Sequence, residues 1–193
     1  MPATLAPSPE FATKLTAESV LYREEAFELR GGGFSNWYVD LRVGLSEGSS
    51  LDECGFYMVE HARSIELEYD VVSGMGVGGS ALVSTICLRR RGHKARSSYA
   101  NDKHGIDEQG AEEYGLHCDV QDQKVWVVDD TASTGNSLVT LIGMVRKEGG
   151  IVEHATAVAD RSQGKVAQAL RDLGVSFYAL LEFSEETGQL TPT

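Results

Sequence analysis

The chain has 193 residues, 41% hydrophobic and 24% charged, with a net charge of −12. This is the composition of one soluble globular domain with room for a small appendage, and it excludes a fibre or a disordered tail. The acidic balance argues against a nucleic-acid partner, which selects a basic face, yet it permits a phosphate held by local backbone N–H groups.

In chain order, residues 1–8 read as a loose arm; Met1 to Glu10 lacks the apolar run of a signal peptide. A helix is expected from Glu10 to Val20, burying Phe11, Leu15 and Val20. Ala26-Phe27-Glu28-Leu29-Arg30 alternates as a short strand, Gly31-Gly32-Gly33 turns the chain, and Trp37 to Leu41 returns. Residues 1–45 then form a small N-terminal hood of helix and hairpin, and residues 46–193 a core. In the core the pattern becomes strand and helix in alternation. A helix is expected over Leu51 to Arg63, a strand over Glu68 to Ser73, a helix over Ala81 to Arg91 and a strand over Ala95 to Ala100. Residues 101–122 are polar and too long for an ordinary connector, so they are either disordered or a functional lid. Lys124 to Val128 is a continuous apolar strand of the buried kind. A helix with Leu138, Leu141, Ile142 and Val145 at helical spacing follows. Ile151 to Ala159 is a strand, Val166 to Leu173 a helix, and Val175 to Leu181 a last strand.

Cys54, Cys87 and Cys118 have no C-x-x-C spacing, which argues against disulfides or a zinc knuckle and fits a reducing, cytoplasmic compartment. No segment approaches the roughly 18 apolar residues of a membrane span. Alternating strands and helices imply an α/β fold, a parallel sheet flanked by helices. Ligands of such sheets sit at the carboxyl ends of the strands. Three loops fall there: 74–79, 101–122 and 129–137.

The loop 129–137 carries the strongest signal. A buried strand ends in Asp129 and Asp130; Thr131, Ala132, Ser133, Thr134, Gly135, Asn136 and Ser137 lead into a helix. Free N–H groups at a helix start attract an anion, and a carboxylate pair finds donors in sugar hydroxyls. The loop therefore points to a sugar phosphate, with phosphate on 133–137 and ribose on the acids. An ordinary capped helix with surface acids is the other reading. Gly74-Met75-Gly76-Val77-Gly78-Gly79 fits G-x-G-x-x-G, which alone is a dinucleotide fingerprint with Asp102 as ribose acid, a pyrophosphate loop, or a tight turn.

The run Val125 to Ser137 closely resembles the phosphoribosyl pyrophosphate signature of type I phosphoribosyltransferases. Phe27 to Arg42 is similar to the N-terminal hairpin of orotate phosphoribosyltransferases, Lys103-His104-Gly105 to that family's loop, and Asp160-Arg161 to its base-contacting pair. The resemblance implies transfer of a phosphoribosyl group to orotate. It places phosphoribosyl pyrophosphate on Val77, Gly78 and residues 129–137, and orotate near Arg30, Tyr38, Val39, Ser133 and Arg161. Lys103 and His104 become catalytic donors in a lid over residues 101–122. It further implies substrate-borne Mg²⁺ with no resident metal, and a homodimer sharing its sites. Departures from the family are Gly78 in place of a lysine, Asn101-Asp102 in place of Arg-Lys, and Arg30 in place of a lysine. Those lost cations keep open a non-catalytic, regulatory member, or one using another base.

Overall fold

A computed structural model of the protein describes residues 5–28, 33–89, 96–101 and 115–193. Ser8 caps the first helix, α1 (Pro9–Ser19), by accepting the Phe11 N–H at 3.1 Å, and Pro9 supplies the preset φ of a first turn. The expected helix overran by one residue: Val20 is extended and opens β1 (Val20–Glu28). A β-branched residue at this point loses little by leaving the helix. β1 pairs antiparallel with β2 (Phe34–Val39) in a two-stranded sheet, with a register shift between Tyr22 and Phe27. A short helix, α2 (Leu41–Gly44), follows Asp40, whose carboxylate accepts the Arg42 N–H; then comes α3 (Gly48–Ser64).

The remaining elements are β3 (Val71–Met75), α4 (Gly76–Arg89), β4 (Arg96–Asn101), β5 (Gly115–Leu116), β6 (Val125–Ala132), α5 (Asn136–Lys147), β7 (His154–Asp160), α6 (Lys165–Asp172), β8 (Ser176–Ser184) and β9 (Gln189–Pro192). Seven strands form one sheet in the order β5-β4-β3-β6-β7-β8-β9. Its centre is parallel, as expected; the edge strands β5 and β9 are antiparallel additions. They escape a sequence reading because they are short and carry little apolar pattern. Pro192 fits an edge, where a missing N–H is tolerated.

Both faces of the sheet are apolar, which is why the central strands read as unbroken hydrophobic runs. Along β6, Trp126 and Val128 pack with α1, α3 and α4, while Val125 and Val127 pack with α5 and α6. Phe11 and Leu15 of α1 belong to the first of these cores, and Thr16 accepts the Leu190 N–H of β9 at 3.0 Å. Helix α1 is thus built into the main body, and the β1–β2 hairpin is a separate two-stranded sheet packed on it through Val39 and Trp37. Among the described residues no helix is long and apolar enough to cross a membrane.

Candidate active site

The alternation that packs β6 continues into its acids. It sends Asp129 toward the α5 side and Asp130 toward α4. A Cβ built on Gly78 would lie 2.4 Å from the Asp130 carboxyl, so in this chain the Asp130 side chain lies directly against the residue 78 backbone. Asp129 is buried, and its carboxyl is raised well above the ordinary range. Burial is the main cause, followed by the charge of Asp130 and a hydrogen bond with it. The Asp130 N–H donates to Asp129 Oδ1 at 2.9 Å and opposes that rise only in part.

Beyond the acids the chain turns through Gly135, whose φ of +78° suits glycine, into the first turn of α5. Gly135 offers no side-chain cap, and the Asn136 N–H reaches Thr134 Oγ1 only at 3.4 Å. Ser133, Thr134, Asn136 and Ser137 are exposed around this helix start. The result is an open nest of N–H groups and hydroxyls suited to a phosphate. Beside it, β3 is in register with β6 through Gly74 and Val128; the expected loop 74–79 is shorter than read, since β3 runs to Met75 and α4 begins at Gly76, with Val77 exposed in its first turn. Arg42, held by Asp40 through two bonds of 2.7 Å, has its pKa raised chiefly by that partner and slightly by Asp130.

At the end of β7 the Arg161 N–H donates to Ala132 O at 2.9 Å and ties the next loop to the first. Asp160 turns that loop by accepting the Ser162 N–H at 2.7 Å. The Arg161 guanidinium lies over the Phe183 ring, 5.4 Å from its centre. It donates through Nη2 to Glu185 Oε1 at 2.5 Å and to Ser35 Oγ at 3.4 Å. Ser35 in turn donates to Glu185 Oε2 at 2.9 Å, and the Trp37 indole N–H donates to the Glu185 carbonyl at 3.0 Å.

The structure thus gathers Val77, Gly78, residues 129–137 and Arg161 at neighbouring strand ends. Tyr38 lies against Phe27 with ring centres 5.3 Å apart, and the Val39 side chain is buried in the main core. Arg30, Lys103 and His104 lie outside the described residues. The expected lid 101–122 is too long at its end, since Gly115 and Leu116 pair with β4 and Val120 is buried in the core; residues 102–114 lie outside the described residues. Sequence reasoning missed Ser35, Arg42 and Glu185. Ser35 lay within the hairpin stretch, but nothing local distinguished Glu185 from its neighbour Glu186.

This chain is 32% identical over 161 residues to the orotate phosphoribosyltransferase of Sulfolobus acidocaldarius, covering 82% of this chain and 76% of that protein. Its fold matches orotate phosphoribosyltransferase of Mycobacterium tuberculosis in complex with Fe(III) dicitrate, with a TM-score of 0.72 and 26% identity over 92% of this chain and 97% of that one. The same enzyme in complex with phosphoribosyl pyrophosphate matches with a TM-score of 0.68 and 25% identity over 91% of this chain and 89% of that one. No family model matches the chain.

Proposed function

The chain belongs to the orotate phosphoribosyltransferase family, and we propose that it transfers the phosphoribosyl group of phosphoribosyl pyrophosphate to orotate, giving orotidine monophosphate and pyrophosphate. The observation that carries this reading is the single strand end that holds both an acid pair, with Asp129 buried beside half-buried Asp130, and an uncapped helix start, joined by backbone to Arg161.

In this reading Asp129 and Asp130 accept the ribose hydroxyls, and residues 133–137 hold the 5′-phosphate. The backbone at Val77 and Gly78 faces the pyrophosphate. Arg161 and Ser133, with the hairpin residues Arg30, Tyr38 and Val39, receive the base. The base nitrogen bonds to C1′ as the C1′–O bond breaks, and the electron pair leaves on pyrophosphate. Lys103 and His104 are the donors assigned to that leaving charge. Magnesium belongs to the substrate, where it neutralises pyrophosphate oxygens. The raised carboxyl of Asp129 fits such a visitor, since among the described residues no positive charge offsets its burial.

We further propose a cytoplasmic homodimer with shared sites, in which mixing a Lys103→Ala variant with an Arg161→Ala variant restores part of the activity. No recovery in dimers shown to exchange rejects the shared site. Chromatographic detection of orotidine monophosphate and of pyrophosphate tests the reaction itself. Nucleotide formed from another base but not from orotate overturns the substrate assignment.

A further inference from the structure

Two donors from distant parts of the chain converge on the carboxylate of Glu185. Arg161 Nη2 meets Oε1 at 2.5 Å, and Ser35 Oγ meets Oε2 at 2.9 Å. The Ser35 hydroxyl has its role fixed by its surroundings. Its oxygen accepts the Trp37 N–H at 3.0 Å and faces Arg161 Nη2 at 3.4 Å, so its own proton is directed at the carboxylate. One cation and one neutral donor, each on its own oxygen, make a receptor for a carboxylate.

The two sides of the ion pair differ in exposure. The Arg161 side chain is 6% exposed and lies over Phe183, whereas the Glu185 side chain is 35% exposed and begins the turn between β8 and β9. The cation is built in; the anion sits at the rim. The turn is pinned by groups other than the carboxylate. The Trp37 indole N–H holds the Glu185 carbonyl, and the Trp37 ring lies against Gly188. The Glu185 side chain can therefore leave while its backbone stays.

Orotate is itself a carboxylate. A guanidinium is always charged, and buried at this depth it needs a counter-ion. With Glu185 in place Arg161 is already neutralised, and a second carboxylate would meet like charge beside it. One of the two anions must give way. We propose that Glu185 is a displaceable stand-in for the carboxylate of the base: it keeps Arg161 compensated in the free protein, swings outward when orotate arrives, and sets the affinity for orotate by competing for the Arg161–Ser35 receptor. This inference rests on the orotate reading of the site. Glu185 is a positioning residue, since it acts through Arg161 and touches no reacting atom.

Steady-state kinetics of E185Q and of E185A, each first shown to be folded by its melting profile, tests the proposal. Removing the resident charge should lower KM for orotate about fivefold or more, as expected when a charge-assisted bond loses its competitor. The change should fall on KM for orotate, not on kcat or on KM for phosphoribosyl pyrophosphate. Uracil, a pyrimidine without the carboxylate, supplies the contrast: its inhibition constant should move far less than KM for orotate. S35A should do the opposite of E185Q and raise KM for orotate. An unchanged or raised KM for orotate in both folded Glu185 variants overturns the stand-in and leaves Glu185 as a clamp between hairpin and core. Absence of orotidine monophosphate from wild type and variants alike overturns the substrate reading and this inference together.

Discussion

At the carboxyl ends of the strands Asp129 is buried with its charge opposed, whereas at the amino ends His61 and His154 are buried and neutral. The histidines resolve their burial internally. Ser176 donates its hydroxyl to the Glu153 carbonyl at 3.0 Å, so its oxygen accepts from His154 Nδ1 at 2.7 Å. That leaves His154 Nε2 as acceptor for His61 Nε2–H at 3.2 Å, and His61 stacks on Tyr178 with ring centres 3.8 Å apart. Only His61 Nδ1 is left without a protein partner. Burial lowers both imidazoles to about 4, aided for His154 by its neighbour. At the other end burial raises Asp129, the nearby carboxylate of Asp130 raises it further, and no neutral pairing completes the set. One end of the sheet is closed by its own side chains; the other leaves its acid and helix start open, which is where the proposed substrate would bind.

Asp130→Asn breaks the functional end most directly. It should weaken binding of phosphoribosyl pyrophosphate by about 2 kcal/mol, the loss of a charge-assisted bond. Calorimetry checks it, and wild-type affinity would remove Asp130 from the ribose site.

The histidine pair predicts the pH response of the structural end. The unfolded imidazoles take up protons near 6.5 and the native ones near 4, so their contribution is intact above about 6.5 and is lost as pH falls toward 4. Stability should drop by about 2 kcal/mol per histidine by pH 5. His61→Phe, which preserves the stack on Tyr178, should flatten part of that slope. Melting temperatures equal at pH 7 and pH 5 would contradict a buried neutral pair.

The smallest effect sharpens the contrast. Because the native Asp129 carboxyl is raised above its unfolded value of 3.8, it destabilises the free protein as pH rises through its native pKa. Asp129→Asn should therefore stabilise the ligand-free protein at pH 7.5 by about 1 kcal/mol while impairing substrate binding. The gain should vanish toward pH 4. A stability difference that ignores pH would place its origin in packing.

Much of the parallel core was legible because its signals are contiguous. Val125 to Val128 announces a strand buried on both faces, and Asp129 to Ser137 announces the turn and helix start after it, all within one short stretch. The spacing of Leu138, Leu141, Ile142 and Val145 likewise predicted the buried face that α5 shows. Strand ends were legible only to within a few residues. β8 runs on to Ser184 and then pairs with β9, because an edge is fixed by the neighbour it meets.

Local sequence was enough to set the order of the central strands and helices and the turn that follows β6, since apolar periodicity and turn chemistry act between residues a few positions apart. Tertiary structure alone decided which groups meet around Arg161. Ser35 stands 126 positions from Arg161, and Glu185 stands 24 from it, so no local pattern could join them. It also brought Asp130 of β6 against the backbone of Gly78 in α4, two residues 52 positions apart in the chain. The physical reason is the same in each case. Charge and excluded volume act through space, and only the folded sheet, by setting β3, β6, β7 and β8 side by side, brings those residues within reach of one another.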